Sequence, residues 1–325
     1  MGRPLAAPAL EEIKAARERL RGVVLRTPVV RLDTGDASTE VLLKLENLQP
    51  IGSFKLRGAM NRMSTLPRSL LDAGVYTASA GNMAQGVAWA ARDLGVTAHV
   101  VVPESAPRAK LDAVERLGGV VVKVPYEEWW KTMQDHGREG MRGTFVHPFA
   151  DRDVMAGNGT IALEILDEVS GVDAILVPWG GGGLACGIAA AARAMRPATR
   201  VYACEVKGAA PLAASLAEGG PATIQNERSF VDGIGGRTVL PEIWPLAQSL
   251  IAGAFSVSVE EVASAVRLIA QRARVVAEGA GAAALAAAIA NVGALTPRPK
   301  RVVCIVSGGN IDPSVLATVL SGSTP

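Results

Sequence analysis

Residues 174–195 read AILVPWGGGGLACGIAAAARAM. Ala174–Val177 is a short apolar run typical of a buried strand, and Leu184–Met195 is an Ala-rich segment with helical spacing. The four glycines Gly180–Gly183 lie between them, at a high cost in conformational entropy. A strand, a glycine turn and a helix start present free backbone N–H groups and a helix dipole that favour an anion. The stretch therefore predicts a phosphate site in an α/β fold, with an ordinary glycine-rich turn as the alternative.

The rest of the chain repeats this alternation of short apolar runs and helical segments. Parallel strands joined by helices form sheets that are covered on both faces, so we expect buried parallel sheets. The runs at 98–102 and 120–124 are close in the chain and are expected to share a small sheet of their own. The predicted strands are Val41–Lys44, Val75–Ala78, Ala98–Val102, Val120–Val124, Ala174–Val177, Val201–Ala203 and Val302–Val306. The predicted helices are Met83–Leu94, Ala109–Leu117, Thr160–Val169, Leu184–Met195, Val259–Arg272 and Ala280–Ala290.

Composition excludes several classes of protein. The 325 residues carry 33 Lys and Arg against 31 Asp and Glu without a block of like charge, so neither nucleic acid nor a membrane is an expected partner. The three cysteines are far apart in the sequence, which argues against disulfides and zinc and for a reducing compartment. Met1–Arg21 lacks the apolar core of a signal peptide, and Gly279–Ala290 is too short to span a bilayer. We therefore expect a soluble cytoplasmic protein of about two domains.

Three further segments place polar groups beside turns. GSFKLRGA at 52–59 sets Lys55 between apolar neighbours, where desolvation favours the neutral amine of covalent catalysis; a solvated lysine is the alternative. SAGNMAQG at 79–86 offers N–H groups for a carboxylate, with an ordinary capped turn as the alternative. SGGN at 307–310 follows a predicted strand. Ligands bind outside the carboxyl ends of parallel strands, so this segment should face the same crevice as the glycine turn unless it is only a tight turn.

Together these segments resemble a known enzyme family. ENLQPIGSFKLRGA at 46–59 resembles the lysine motif of fold-type II pyridoxal-phosphate enzymes, in the group of threonine and serine dehydratases and serine racemases. SAGNMAQG resembles that group's substrate-carboxylate loop, the glycine turn its phosphate loop, and SGGN its motif at the pyridine nitrogen. Further matches lie at 103–110, 147–149, 156–163 and 278–286, so the resemblance covers nearly the whole chain. It implies pyridoxal 5'-phosphate as the cofactor, bound in the cleft between two open twisted α/β domains of the tryptophan synthase β type.

The resemblance also implies a role for each matching position. Lys55 would hold the cofactor covalently, and Phe54 would flank its ring. Asn82 would hydrogen-bond the ring hydroxyl, and Ser307 would face the pyridine nitrogen. The phosphate would be bound by the backbone N–H groups of Gly180, Gly181, Gly182, Gly183 and Leu184. The substrate carboxylate would lie against Ser79, Ala80, Gly81, Asn82 and Met83.

The implied reaction converts a β-hydroxy amino acid to a 2-oxo acid and ammonia. A neutral hydroxyl at the pyridine nitrogen makes the ring a weaker electron sink than a carboxylate would, which suits rapid β-elimination. Racemases of the group carry a second serine where this chain has Ala80, so racemisation is the alternative. Of the racemase cation site, Glu205 is matched, but Pro211 stands where a carboxylate is expected, so a weak metal site or none is predicted.

Three departures from the family pattern make the predicted site more apolar or bulkier. They are Ile51 in place of Thr, Met83 in place of His, and Trp179 in place of a smaller aliphatic residue. They suggest a substrate with an apolar or aryl β-substituent, such as phenylserine. Neutral variation in an ordinary threonine dehydratase is the alternative.

The predicted large domain combines residues 1–70 with 150–325 and binds the cofactor, and the inserted small domain, 71–149, carries the substrate loop. Family analogy implies a homodimer, and the short stretch after Ser307 implies no isoleucine-controlled regulatory domain. A non-catalytic cofactor-binding paralogue and a β-replacement synthase are further alternatives. The intact Lys55 argues against the first, and a carboxylate loop without Thr argues against the second.

Overall fold

The computed structural model describes residues 5–325; residues 1–4 of the predicted large domain lie outside the described part of the chain. The described residues form a mixed α/β structure with two sheets. Its strands are β1 (Val29–Leu32), β2 (Glu40–Lys44), β3 (Val75–Ala78), β4 (Ala98–Pro103), β5 (Val120–Val124), β6 (Thr144–Phe145), β7 (Ala174–Pro178), β8 (Arg200–Val206), β9 (Gly253–Val257) and β10 (Arg301–Ile305). Its helices are α1 (Leu10–Arg19), α2 (Lys55–Ser64), α3 (Arg68–Asp72), α4 (Asn82–Asp93), α5 (Arg108–Arg116), α6 (Tyr126–Gln134), α7 (Arg152–Glu168), α8 (Gly183–Met195), α9 (Pro211–Glu218), α10 (Trp244–Leu250), α11 (Val259–Leu268), α12 (Gly279–Asn291) and α13 (Pro313–Leu320).

The larger sheet has the strand order β1-β2-β10-β7-β8-β9. Neighbours from β2 to β9 are parallel, as the sequence predicts, whereas β1 pairs antiparallel with β2. Only residues 33–39 join β1 to β2, and this connection is too short for the crossover that a parallel pair requires.

Both faces of the larger sheet are buried. Side chains alternate along a strand, so Ile175 and Val177 pack on one side with α7 and α8, while Ala174 and Leu176 pack on the other with α11 and α12. This double burial explains why the strands read as continuous apolar runs instead of alternating ones.

The smaller sheet has the order β5-β4-β3-β6, and all of its pairs are parallel. Its strands lie between Val75 and Phe145, whereas the larger sheet takes strands from both sides of that segment. Helix α2 packs against α4 of the smaller sheet and against α7 of the larger one. The domain boundaries at 70 and 150 stay a prediction.

The structure adds length to one predicted helix and shortens another. Helix α7 begins at Arg152 instead of Thr160, because the Asp151 carboxylate caps it by accepting from the N–H groups of Asp153 and Val154. Helix α11 ends at Leu268 and continues as a π-turn over Ile269–Ala273. Among the described helices, none combines the length and the apolar character required to cross a membrane.

Candidate active site

Lys55 is the first residue of α2, and its amine has one close partner. The Nζ donates to the backbone oxygen of Pro148 at 2.7 Å and lies 5.1 Å from the ring centre of Phe54. Burial lowers the pKa of Lys55 to about 8, although the negative charge of Glu278 acts to raise it. A large share of this amine is therefore neutral near pH 8, the form required for a nucleophile or base.

The segment before Lys55 pairs with the segment around Ser307. Ser53 and Gly308 form an antiparallel bridge, the Phe54 N–H donates to the Ser307 oxygen at 3.0 Å, and the Gly309 N–H donates to the Gly52 oxygen at 2.9 Å. Ser307 is a buried residue, and within residues 5–325 its hydroxyl makes no hydrogen bond to another protein group. The two segments, more than 250 residues apart in the sequence, thus form one wall of a site.

Helix α12 lies directly against this wall. A Cβ added at Gly281 would be 2.2 Å from the Gly308 backbone oxygen, so any side chain at Gly281 would displace the segment that carries Ser307. Part of the glycine content of the chain is therefore required by packing around the site and not by turns.

Asn82 begins α4 and is held from two sides. Its Oδ1 accepts from Asn310 Nδ2 at 2.7 Å, and its Nδ2 donates to Glu278 Oε1 at 2.8 Å. In the preceding loop, the Ser79 hydroxyl accepts from the Gly81 N–H at 3.2 Å. The start of this 12-residue helix, with its free N–H groups and positive dipole end, suits a carboxylate.

The glycine turn lies at the start of α8. Gly182 has φ of +92°, a conformation that favours glycine, and it caps the helix. In the described chain, the N–H groups of Gly180–Leu184 donate to no protein acceptor. A Cβ at Gly181 would be 2.3 Å from the Phe149 ring, so Phe149 touches this turn while Pro148 holds Lys55.

His147 holds the segment that connects these two groups. Its Nδ1 accepts from the N–H groups of Phe149 at 3.2 Å and Ala150 at 2.7 Å. The ring proton therefore lies on Nε2, which donates to the Met133 oxygen at 3.2 Å. Burial lowers the pKa of His147 to about 3, so the ring stays neutral and acts as a structural brace.

A buried ion cluster lies behind Lys55. Arg57 Nε donates to Glu46 Oε2 at 2.7 Å, and Arg57 Nη1 donates to Glu164 Oε1 at 2.6 Å. Lys44 Nζ donates to Glu164 Oε2 at 2.5 Å. Two cations balance two carboxylates, and the cluster ties the first turn of α2 to β2 and α7. The sequence showed these charges but not that they share one buried site.

The three bulky departures from the family pattern are core residues. Ile51 and Met83 pack in the cluster between α2 and α4. Trp179 lies against Gly182 and Ile243, and none of the three side chains is more than 5% exposed. They therefore do not form the wall of an open substrate pocket.

An open cavity of about 440 Å³ lies between α6 and the segment 226–237. Its aromatic wall is formed by Tyr126 and Trp129, whose ring centres are 5.5 Å apart. Asp232, also in the lining, precedes Gly233, whose backbone oxygen would be 3.4 Å from a Cβ on Gly180. The cavity therefore adjoins the glycine turn. The remaining lining residues are Ala209, Asn226, Glu227, Arg228, Ser229, Val231, Gly235 and Arg237.

Sequence reasoning assigned no role to Glu278 or to the aromatic wall. Both are unusual features that can be seen in the sequence. Glu278 is the single charged residue between Arg274 and Arg298, and three aromatic residues cluster at 126–130 in a chain with only 4% aromatic residues.

The family described as "Pyridoxal-phosphate dependent enzyme" matches residues 20–308. The chain belongs to this family. The match confirms the predicted family, the fold class and pyridoxal phosphate as the cofactor of this group of enzymes.

Individual relatives agree with this result. The chain is 36% identical over 317 residues to the L-threonine ammonia-lyase of Thermotoga maritima, covering 96% of this chain and 78% of the relative. Threonine deaminase isoform 2 from Solanum lycopersicum, in its processed form, superimposes with a TM-score of 0.86 at 32% identity, covering 98% of this chain and 90% of that one. Serine racemase from Dictyostelium discoideum gives 0.84 at 34% identity, covering 94% and 100%.

The residues present fit pyridoxal phosphate. Lys55 offers a partly neutral amine, the glycine turn offers unused N–H donors, and the Ser307 hydroxyl makes no hydrogen bond within the described protein. The roles of the individual residues stay predictions.

Glu205 follows Cys204, whose backbone oxygen accepts from the Trp179 N–H at 2.8 Å, directly before the glycine turn. It is buried and accepts from the N–H groups of Leu212 at 2.9 Å and Ala213 at 2.8 Å, at the start of α9, and burial raises its pKa to about 7. Among residues 5–325 no cluster of three metal-binding side chains occurs.

Proposed function

We propose that this chain is a pyridoxal-phosphate-dependent ammonia-lyase that dehydrates a β-hydroxy amino acid of the threonine or serine type. The products are a 2-oxo acid and ammonia. One observation carries the proposal: the partly neutral amine of Lys55 lies on a segment paired with that of Ser307, a neutral partner for the ring nitrogen. The name of the Thermotoga maritima relative, an L-threonine ammonia-lyase, supports the same reaction.

In this proposal Lys55 removes the α-proton of the substrate. Bound pyridoxal phosphate supplies an electron-withdrawing ring that acidifies this proton. Lys55 can act as the base because burial holds its pKa near 8 and the Pro148 carbonyl fixes the position of its nitrogen. The backbone N–H groups of Gly180–Leu184 hold the cofactor phosphate, and Phe54 flanks the ring.

The substrate carboxylate binds at the start of α4. Ser79, Asn82 and the neighbouring N–H groups of Ala80 and Met83 supply donors, and the helix dipole adds a favourable charge. The Gly81 N–H donates to the Ser79 hydroxyl and so orients that donor. When the carboxylate is held in place, the α-proton of the substrate is oriented toward the Lys55 nitrogen.

Racemisation is the second candidate, and the structural likeness to serine racemase supports it. It requires a proton donor on the face of the substrate opposite Lys55. The carboxylate loop offers Ala80 at the position where the racemases carry a serine, and a methyl group cannot donate a proton. This difference favours elimination.

We further propose that the substrate carries an aryl or other apolar β-substituent, as in phenylserine. The support is the cavity beside the glycine turn, whose wall is Tyr126 and Trp129. A volume of about 440 Å³ is ample for an aromatic ring.

We also propose that the enzyme is a cytoplasmic homodimer of protomers with the two predicted domains. The small domain would contribute the substrate loop and the aromatic wall. Contacts between the two parts, such as Lys110 Nζ with Asp232 Oδ2 at 2.6 Å, would hold them closed over the substrate.

The test is product analysis with threonine, serine and phenylserine. We expect equal amounts of 2-oxo acid and ammonia, with kcat/KM for phenylserine at least equal to that for threonine. A several-fold preference for threonine or serine would contradict the aryl proposal alone. If the amino acid were converted to its enantiomer without release of ammonia, the enzyme would be a racemase. If no product formed although the cofactor was bound, the chain would be a non-catalytic binding paralogue.

A further inference from the structure

Glu278 is an acidic side chain at the site to which the proposed reaction assigns no task. It directly precedes α12, and its Oε1 accepts from Asn82 Nδ2 at 2.8 Å. The backbone N–H of Asn310 also donates to its carboxylate. A Cβ on Gly308 would be 2.5 Å from Oε1, so the carboxyl group lies directly against the segment of Ser307.

The contacts of Glu278 fix the orientation of the Asn82 amide. Oδ1 of Asn82 accepts from Asn310, and Nδ2 donates to Glu278. If the amide were flipped, its Nδ2 would face the Nδ2 donor of Asn310 and its Oδ1 would face the Glu278 carboxylate, so both hydrogen bonds would be lost. In the observed orientation the second N–H of Nδ2 remains available. The ring hydroxyl of the cofactor is an acceptor suited to it.

The charge of Glu278 acts on Lys55. Its negative charge favours the protonated amine and opposes the effect of burial. Two other charged groups act on Glu278: Asp232 from the turn before Gly233, and Lys110 from α5. Burial raises the pKa of Glu278 to about 7, so the carboxylate is ionised in the range where Lys55 titrates.

We propose that Glu278 is a positioning residue that fixes the Asn82 amide and supplies a partly buried negative charge to the wall of the site formed by the Ser307 segment. This inference rests on the proposed function only in taking Lys55 as the cofactor lysine. It does not depend on which amino acid reacts, or on whether the outcome is elimination or racemisation.

The main experiment is a pH titration of visible absorption in the holoenzyme and in Glu278→Gln. Gln keeps an acceptor for Asn82 but removes the charge, so the midpoint of the Lys55-linked transition should fall by at least about 0.5 pH unit. Glu205→Gln is the matched control, because it removes another buried carboxyl that faces no lysine of the site; its midpoint should stay at the wild-type value. Equal midpoints in wild type and Glu278→Gln would overturn the proposed effect on Lys55.

A second measurement separates orientation from charge. The Kd for pyridoxal phosphate should rise by about threefold or less in Glu278→Gln, and by about tenfold or more in Glu278→Ala, which lacks an acceptor for Asn82. Equal Kd values for the two variants, with folding verified by circular dichroism, would overturn the positioning role.

The apoenzyme provides an independent readout. The pH at which Lys55 reacts with an amine reagent, followed by mass spectrometry, should fall in Glu278→Gln by a similar amount. This shift without turnover of any amino acid would contradict the proposed reaction and leave the role of Glu278 intact.

Discussion

Lys55 Nζ lies 2.7 Å from the backbone oxygen of Pro148, although 93 positions separate the two residues. A carbonyl oxygen is a weak partner for an amine compared with a carboxylate, so it positions the nitrogen without fixing its charge. Because the neutral ring of His147 braces the segment that follows it, the contact is set by buried backbone and does not vary with pH near neutrality.

Cofactor capture should report the lowered pKa of Lys55. Only the neutral amine attacks an aldehyde, so the rate constant for binding pyridoxal phosphate to the apoenzyme should rise with pH to a midpoint of about 8. Stopped-flow absorbance measures it. A rate that keeps rising past pH 10, as for a solvated lysine, would contradict the buried position of this amine.

Arg57 should be a major contributor to stability. Arg57→Met leaves Glu46 and Glu164 buried with Lys44 as the one remaining cation of the cluster, and the free energy of unfolding should fall by about 3–5 kcal/mol. Urea denaturation measures this loss. Arg68→Met breaks the exposed pair with Asp72 and should cost less than about 1 kcal/mol. If both variants lost a similar free energy of unfolding, the buried cluster would contribute no more to stability than an exposed ion pair.

Gly281→Ala should destabilise the enzyme even though Ala favours helices. The added Cβ would lie 2.2 Å from the Gly308 oxygen, and the strain should cost about 1–3 kcal/mol and weaken cofactor binding. Gly220→Ala, where no atom lies within 4 Å of the added Cβ, is the control and should be nearly neutral. Thermal melting with and without cofactor measures both; a stabilised Gly281→Ala would refute the close approach.

Trp129 should affect aryl substrates selectively. Trp129→Leu removes half of the aromatic wall, so kcat/KM for phenylserine should fall about tenfold or more while the value for threonine changes by less than about threefold. Trp89→Leu, on α4 and outside the cavity lining, should leave the ratio of the two values unchanged. An equal loss for both substrates in Trp129→Leu would assign this residue a structural role.

Much of the architecture was predictable because local patterns and the fold agree. The apolar runs of β4, β7 and β10 and the Ala-rich helices α8 and α12 are where the sequence places them. β1, β6 and β9 were not predicted. β6 has only two residues, and β1 and β9 are edge strands whose partly exposed side chains break the apolar run.

The candidate site was predictable only in part. Motifs identify Lys55, Asn82 and Ser307 one at a time, but they do not show that Glu278 bonds Asn82 or that Pro148 holds Lys55. Such contacts join residues 93 to 196 positions apart and depend on how helices pack. The size of a side chain in the sequence also does not reveal whether it lines a pocket: Trp179 is bulky, and it fills the core beneath the glycine turn. The predicted aryl substrate stays a prediction.

The most direct test of the account is to locate the cofactor on the chain. Borohydride reduction of the holoenzyme fixes the bond between pyridoxal phosphate and its lysine, and peptide mass spectrometry identifies the residue. We expect the modification on Lys55, none in Lys55→Ala, and a wild-type result in Lys131→Ala, which removes an exposed lysine. Modification of another lysine, or the same yield in Lys55→Ala, would contradict the site described for this enzyme.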